Sequence, residues 1–104
     1  MMLVTEIYNA LKQAQLVSTL EEYSTQWLNK HKTTASYLIH KKRDLSVNAK
    51  INCFKNVKKK IEELENTSEF IKDLNIQNII YLKKTQNLIQ SSINSQLQIE
   101  KFIL

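Results

Sequence analysis

Apolar residues recur along this chain in steps of three and four, the spacing that lines one face of an α-helix. Leu3, Ile7, Leu11 and Ala14, with Val4, Ala10 and Val17 beside them, predict a first helix over residues 3–17. Ser18 stands three residues before Glu21, a capping-box arrangement that predicts a second helix with Leu20, Tyr23, Trp27 and Leu28 turned inward. The polar run 29–32 breaks the pattern, and Asn29 suits the left-handed conformation that ends helices. Thr33 is placed to cap a third helix, with Ala35, Leu38 and Ile39 inward and Thr34, Ser36, Tyr37, His40 and Lys41 outward. A second break at 43–46, capped by Asp44 or Ser46, precedes a long stripe of Val47, Ile51, Phe54, Val57, Ile61 and Leu64.

Asn66 and Thr67 interrupt that stripe, and Glu69 sits at capping-box distance from Asn66. Helix is favoured again from Glu69 onward, with a kink expected near Asn75. The apolar positions of this last part fall on two stripes. Ile79, Leu82, Ile89, Ile93, Leu97 and Leu104 form one; Tyr81, Leu88, Ile99 and Phe102 form the other. One stripe docks a helix on its own core, and a second predicts a partner, of which another copy of the chain is the simplest.

The chain has 104 residues and neither glycine nor proline. Tight hairpin turns lean on glycine, whereas helix interiors reject both residues, so the fold class is all-α. The same absence removes every glycine-built phosphate cradle and nucleophile elbow. A single cysteine, Cys53, excludes an internal disulfide and suggests a reducing, cytoplasmic setting. The first residues lack a signal-length apolar run, and no stretch reaches the length of a membrane span.

Charge changes the picture more than composition does. Ten of the fifteen basic residues fall within residues 30–60 (Lys30, Lys32, Lys41, Lys42, Arg43, Lys50, Lys55, Lys58, Lys59 and Lys60), where Asp44 is the lone acid. That segment carries +9, while the flanks 1–29 and 61–104 each carry −2. Segregation on this scale suits an anionic partner such as nucleic-acid phosphate, although Lys58–Lys60 alone would pass for a solvated helix face.

Candidate chemistry beyond charge is sparse. Trp27 sits at core spacing with Leu20 and Tyr23. Cys53, beside Phe54, reads as a buried filler, the alternative being a thiol activated by Lys50 and Lys55. His31 and His40 lack a third ligand at metal-binding spacing and belong on the basic face. Tyr37 points away from Ala35, Leu38 and Ile39, either resting on helix 2 or reaching a partner. No nucleophile stands at recognisable spacing from a base, so neither an enzyme nor a cofactor is expected.

Helices 2 and 3 with their short connection resemble the helix-turn-helix of the lambda-repressor (Cro/CI) type. Tyr23-Ser24, Trp27-Leu28, Ser36-Tyr37-Leu38, Arg43 and Ser46 are similar, over residues 5–65, to a family of short bacterial proteins of unknown function carrying Phe-Ser-x-x-Trp-Leu-Gly, Ser-Tyr-Leu and Pro-Ser. The general motif has a small residue where Ser24 stands and a glycine four residues later; here Leu28 occupies that place and Asn29 comes one late. Leu45 replaces the proline before helix 4. These departures predict an altered turn.

The resemblance implies a compact helix-turn-helix domain of about four helices over 1–66, while the two apolar stripes predict a long helix or hairpin at 67–104 that dimerises or binds a partner. It further implies a DNA-binding regulator of a phage or mobile element, with helix 3 in the major groove of duplex DNA. Thr33, Thr34, Ser36 and Tyr37 would then face base edges, Lys32 a guanine or a phosphate, and Lys30, Lys41, Lys42 and Arg43 the backbone, with His40 on the same nucleic-acid-binding face. On the reading of the second stripe, independent of the resemblance, Tyr81, Leu88, Ile99 and Phe102 would join two copies. The alternative is a helical protein-binding module, such as a phage-borne inhibitor of a nucleic-acid-binding defence enzyme of the anti-CRISPR type.

Overall fold

A computed structural model describes residues 2–66 and 76–96. The described chain is helical: α1 (Leu3–Gln13), α2 (Leu20–Glu22) running straight into a π-helical turn (Tyr23–Trp27), α3 (Thr34–His40), α4 (Val47–Glu65) and α5 (Ile76–Gln96). Helix α5 lies against α4 and α1, α1 also meets α3, and α2 packs on α3. Ile79, Leu82, Ile89 and Ile93 of α5 therefore share one core with Leu3, Val4, Ile7 and Leu11 of α1 and Phe54, Val57 and Ile61 of α4. No helix among the described residues is long and apolar enough to cross a membrane.

With no glycine, the chain ends three of its helical segments on larger residues in the left-handed region: Gln15 (φ 61°), Asn29 (φ 56°) and Lys42 (φ 56°). Helix α1 thus stops short of residue 17. The Leu16 amide donates to the Leu11 carbonyl at 2.9 Å and the Gln15 amide to Lys12 at 3.0 Å, the Schellman pattern. Helix α3 ends the same way, with Arg43 donating to Leu38 at 2.9 Å and Lys42 to Ile39 at 3.2 Å. Each such residue carries a steric penalty that glycine would escape.

The caps differ from the sequence expectation by small shifts. Thr19, not Ser18, caps α2, its hydroxyl accepting from the Glu22 amide at 3.2 Å. Glu22, not Glu21, reaches back, and it accepts from the amide of Ser18, the residue before the cap, at 3.2 Å. Thr33 precedes α3 without capping it through its side chain, because its hydroxyl is turned to His31 Nδ1 at 3.0 Å. Ser46 caps α4, accepting from the Ala49 amide at 3.2 Å. Asn66 closes α4, while Glu69 and the expected kink near Asn75 lie outside the described residues.

The stripe of α4 is rotated from its expected centre. Ala49, Lys50, Cys53, Phe54, Val57 and Ile61 are buried, whereas Val47, Ile51 and Leu64 are half-buried. Lys50 lies on this inner face because α5 covers α4 there; its ammonium group donates to the Gln96 side-chain carbonyl. Its aliphatic stem suits the apolar contact and its head finds a polar end.

Candidate nucleic-acid interface

The connection from helix 2 to α3 is set by two hydroxyls. Ser24 donates to the Leu20 carbonyl at 2.9 Å and Thr25 to the Glu21 carbonyl at 3.0 Å. Such side-chain bonds compete with the backbone amides that close an α-turn. The register opens, and Leu28 donates to Tyr23, five residues back, at 3.1 Å. The wide turn takes up one residue more than an α-turn. It delivers Asn29 in the left-handed conformation, one place later than the general motif sets its glycine.

Ser24 also fixes α3. It is wholly buried and accepts the Ala35 amide at 2.9 Å, so one hydroxyl joins the body of helix 2 to the first turn of α3. The open carbonyls at the end of helix 2 are met from α4. Asn56 donates to the carbonyls of Gln26 at 3.2 Å and Trp27 at 2.9 Å, and Asn52 to that of Leu28 at 3.2 Å. Asn48 accepts from both Asn52 at 3.2 Å and the Lys30 ammonium at 2.9 Å. The sequence reading missed this row; three asparagines, poor helix formers, at four-residue spacing on one helix are the signal for it.

Held in this way, α3 presents an outer face. Ser36, Tyr37 and His40 are exposed on it, Tyr37 to 50 %. Thr34 is half-buried, and the Ser36 hydroxyl donates back to the Thr33 carbonyl at 3.0 Å. Lys32 and Thr33 are exposed just before the helix, and Lys41, Lys42 and Arg43 just after it. Lys30 is half-buried and turned to Asn48 on α4.

The basic segment divides. Lys50 is buried against α5, Lys60 pairs with Glu63 at 3.5 Å, and Lys55, Lys58 and Lys59 stand on the solvent side of α4. Asp44, the acid within it, is committed elsewhere. Its carboxylate accepts the amides of Leu3 at 3.0 Å and Val4 at 2.9 Å and so caps α1, which has no side-chain cap of its own. The run Lys41–Lys42–Arg43 is left next to a carboxylate already occupied by a helix N-terminus.

Two buried titratable groups belong to the frame. The Tyr23 hydroxyl donates to the Val4 carbonyl at 2.8 Å, and burial raises its pKa far above the ordinary phenol value, with Cys53 and Asp44 adding to the shift. Burial pushes the Cys53 thiol up to about 12, which leaves it protonated and unreactive near neutrality.

A shallow groove lies between helix 2 and α4, lined by Gln26, Trp27, Asn56, Lys59, Lys60 and Glu63. The expected partner stripe of α5 is only partly described: Leu88 is exposed, Tyr81 half-buried, and Ile99 and Phe102 lie outside the described residues. Ile76 and Ile80 of the same helix are exposed as well.

A family model described as a family of unknown function, DUF6626, matches residues 4–101, and the chain belongs to that family. The match runs well past residue 65, where the resemblance read from the sequence stopped, and takes in α5. No curated protein and no solved structure matches the chain.

Proposed function

We propose that this member of a family of unknown function is a DNA-binding regulator that uses the outer face of α3, and that it acts by binding rather than by catalysis. One observation carries the reading. The exposed Ser36, Tyr37 and His40 run directly into Lys41, Lys42 and Arg43, and the acid beside them, Asp44, is occupied by the α1 N-terminus. Side chains of this kind hydrogen-bond base edges, and a cationic run beside them binds phosphate and sets register. The Ser24–Ala35 bond gives α3 the rigid seat that groove insertion needs. In this reading Lys41, Lys42 and Arg43 are the main phosphate contacts, Lys32 is a further one at the other end of α3, and Lys50 plays no part.

The measurement is a titration of random duplex DNA across several salt concentrations. Binding that weakens steeply with log salt supports the reading; absence of binding at low salt overturns it. A second reading, a helical protein-binding module, rests on the exposed Ile76, Ile80 and Leu88 of α5. The same face is where a homodimer would form, and sedimentation of the wild type against Leu88→Glu separates a self-associating face from a free one.

A further inference from the structure

Helix α4 turns a second cationic surface to solvent, distinct from the run that follows α3. Lys55, Lys58 and Lys59 are exposed on it. Spacings of three and four residues make them neighbours on one face of the helix. Asn48 is exposed about two turns before Lys55, on the same face, and accepts from the Lys30 ammonium at 2.9 Å. Four cations are thereby set along roughly 16 Å of helix, from residue 48 to residue 59.

These charges are not balanced. Among the described residues, Lys55, Lys58 and Lys59 make no ion pair. Lys60, at the margin, is paired with Glu63 at 3.5 Å, and Asp44 is held by the α1 N-terminus. Glu62, exposed one turn beyond Lys58, closes the face at that end. Like charges at this spacing repel and weaken a helix, so the cluster opposes folding. A face that serves only solubility mixes its signs.

The exposed large apolar residues of the described chain lie on α3 and α5, not here. Protein interfaces centre on such residues and are depleted in lysine, whereas lysine and asparagine are ordinary contacts to phosphate. We propose that the solvent face of α4, through Lys55, Lys58 and Lys59 with Lys30 at its start, is a second DNA surface that holds the phosphate backbone without reading sequence. Its partner rests on the DNA reading of α3, but Lys55, Lys58 and Lys59 belong to a different helix from the contacts named there.

The experiment titrates labelled random duplex DNA with the full chain across several salt concentrations. It compares the wild type, Lys55, Lys58 and Lys59 changed together to Ala, Lys41, Lys42 and Arg43 changed together to Ala, and Glu62→Gln. The α4 triple should flatten log affinity against log salt by about 2 to 3, whatever the duplex sequence. It should melt no lower than the wild type, since alanine favours helix and the repulsion is relieved. Glu62→Gln should tighten binding about twofold, a gain that damage to the fold does not produce. The triple next to α3 should keep a weakened, salt-dependent binding that vanishes when all six residues are Ala. An α4 triple with the wild-type affinity and slope overturns the proposal and leaves the α3 reading standing; a wild type that binds no duplex at low salt overturns both. Polyglutamate that displaces the duplex at equal charge, and loses that ability in the α4 triple, overturns the DNA assignment in favour of an acidic protein.

Discussion

The carboxylate of Asp44 accepts the backbone amide of Val4 at 2.9 Å across forty residues of chain, and its second oxygen takes the amide of Leu3 at 3.0 Å. One residue thereby caps α1, satisfies two of its orphan amides, and anchors the connection between α3 and α4 to the start of the chain. The negative charge also lies at the positive end of the helix dipole.

Asp44→Ala should therefore destabilise the fold by about 0.5–2 kcal/mol, the range for losing an N-cap. Asp44→Asn should lose less, because the amide oxygen still accepts one bond. Urea denaturation followed by circular dichroism reads both. Equal stability of Asp44→Ala and the wild type would mean that solvent caps α1 as well as Asp44 does.

Ser24→Ala removes the acceptor of the Ala35 amide and leaves that amide buried without a partner. The expected loss is about 1–3 kcal/mol. Hydrogen exchange localises the effect: the Ala35 amide should lose protection far more than the Ile7 amide in α1. Uniform loss across both helices would show that Ser24 supports the core at large and not the seat of α3.

Gln15, Asn29 and Lys42 hold left-handed backbone at the helix ends. Gln15→Gly should stabilise the protein by about 1 kcal/mol, since relief of side-chain crowding outweighs the larger unfolded-state freedom of glycine. Asn29→Gly should gain less, because asparagine tolerates this conformation and its side-chain oxygen accepts from Asn56 at 3.2 Å. Thermal unfolding of the two variants gives the order directly.

Most of the helical layout was legible because periodicity is a local property. Leu3, Ile7 and Leu11 declare α1, and Ile79, Leu82, Ile89 and Ile93 declare the inner face of α5. What escaped the sequence depends on contacts between distant residues. Asp44 looked like a cap for its own helix, and only the tertiary fold brings it to α1. Lys50 looked like part of the basic field, and only the docking of α5 turns that face of α4 inward. The offset of Asn29 was visible, but its cause, the opening of the turn by Ser24 and Thr25, needed the hydroxyl positions. On the outer face of α3, the outward residues Ser36, Tyr37 and His40 were read from spacing alone.

Alkaline pH should unfold the protein earlier than its helical content would suggest. Cys53 holds its proton up to about 12 in the folded chain against an ordinary value of 9.0, and Tyr23 is shifted upward from 10.0. Both groups favour the folded state while neutral, so their contribution is intact below pH 9 and is lost as pH rises. Stability should fall by about 1.4 kcal/mol per pH unit once the unfolded thiol ionises, and about twice as steeply above pH 10. A pH series of urea midpoints measures the slope. Native protein at pH 8 should resist a thiol reagent that labels the urea-unfolded chain at once.

The DNA reading makes its sharpest prediction at Lys42, where stability and binding should move in opposite directions. Lys42→Gly relieves a strained helix end and should raise the melting temperature, yet it removes a phosphate contact and should weaken duplex binding at every sequence. Replacing Lys41, Lys42 and Arg43 together by Ala should flatten the plot of log affinity against log salt by about 2 to 3, in proportion to the phosphates released. Ser36→Ala and Tyr37→Ala should leave that slope alone and change the preference among duplexes, since these side chains stand on the outer face of α3 and carry no charge. A triple variant that binds with the wild-type slope would detach the cationic run from DNA, and the exposed apolar residues of α5 would then become the leading interaction surface.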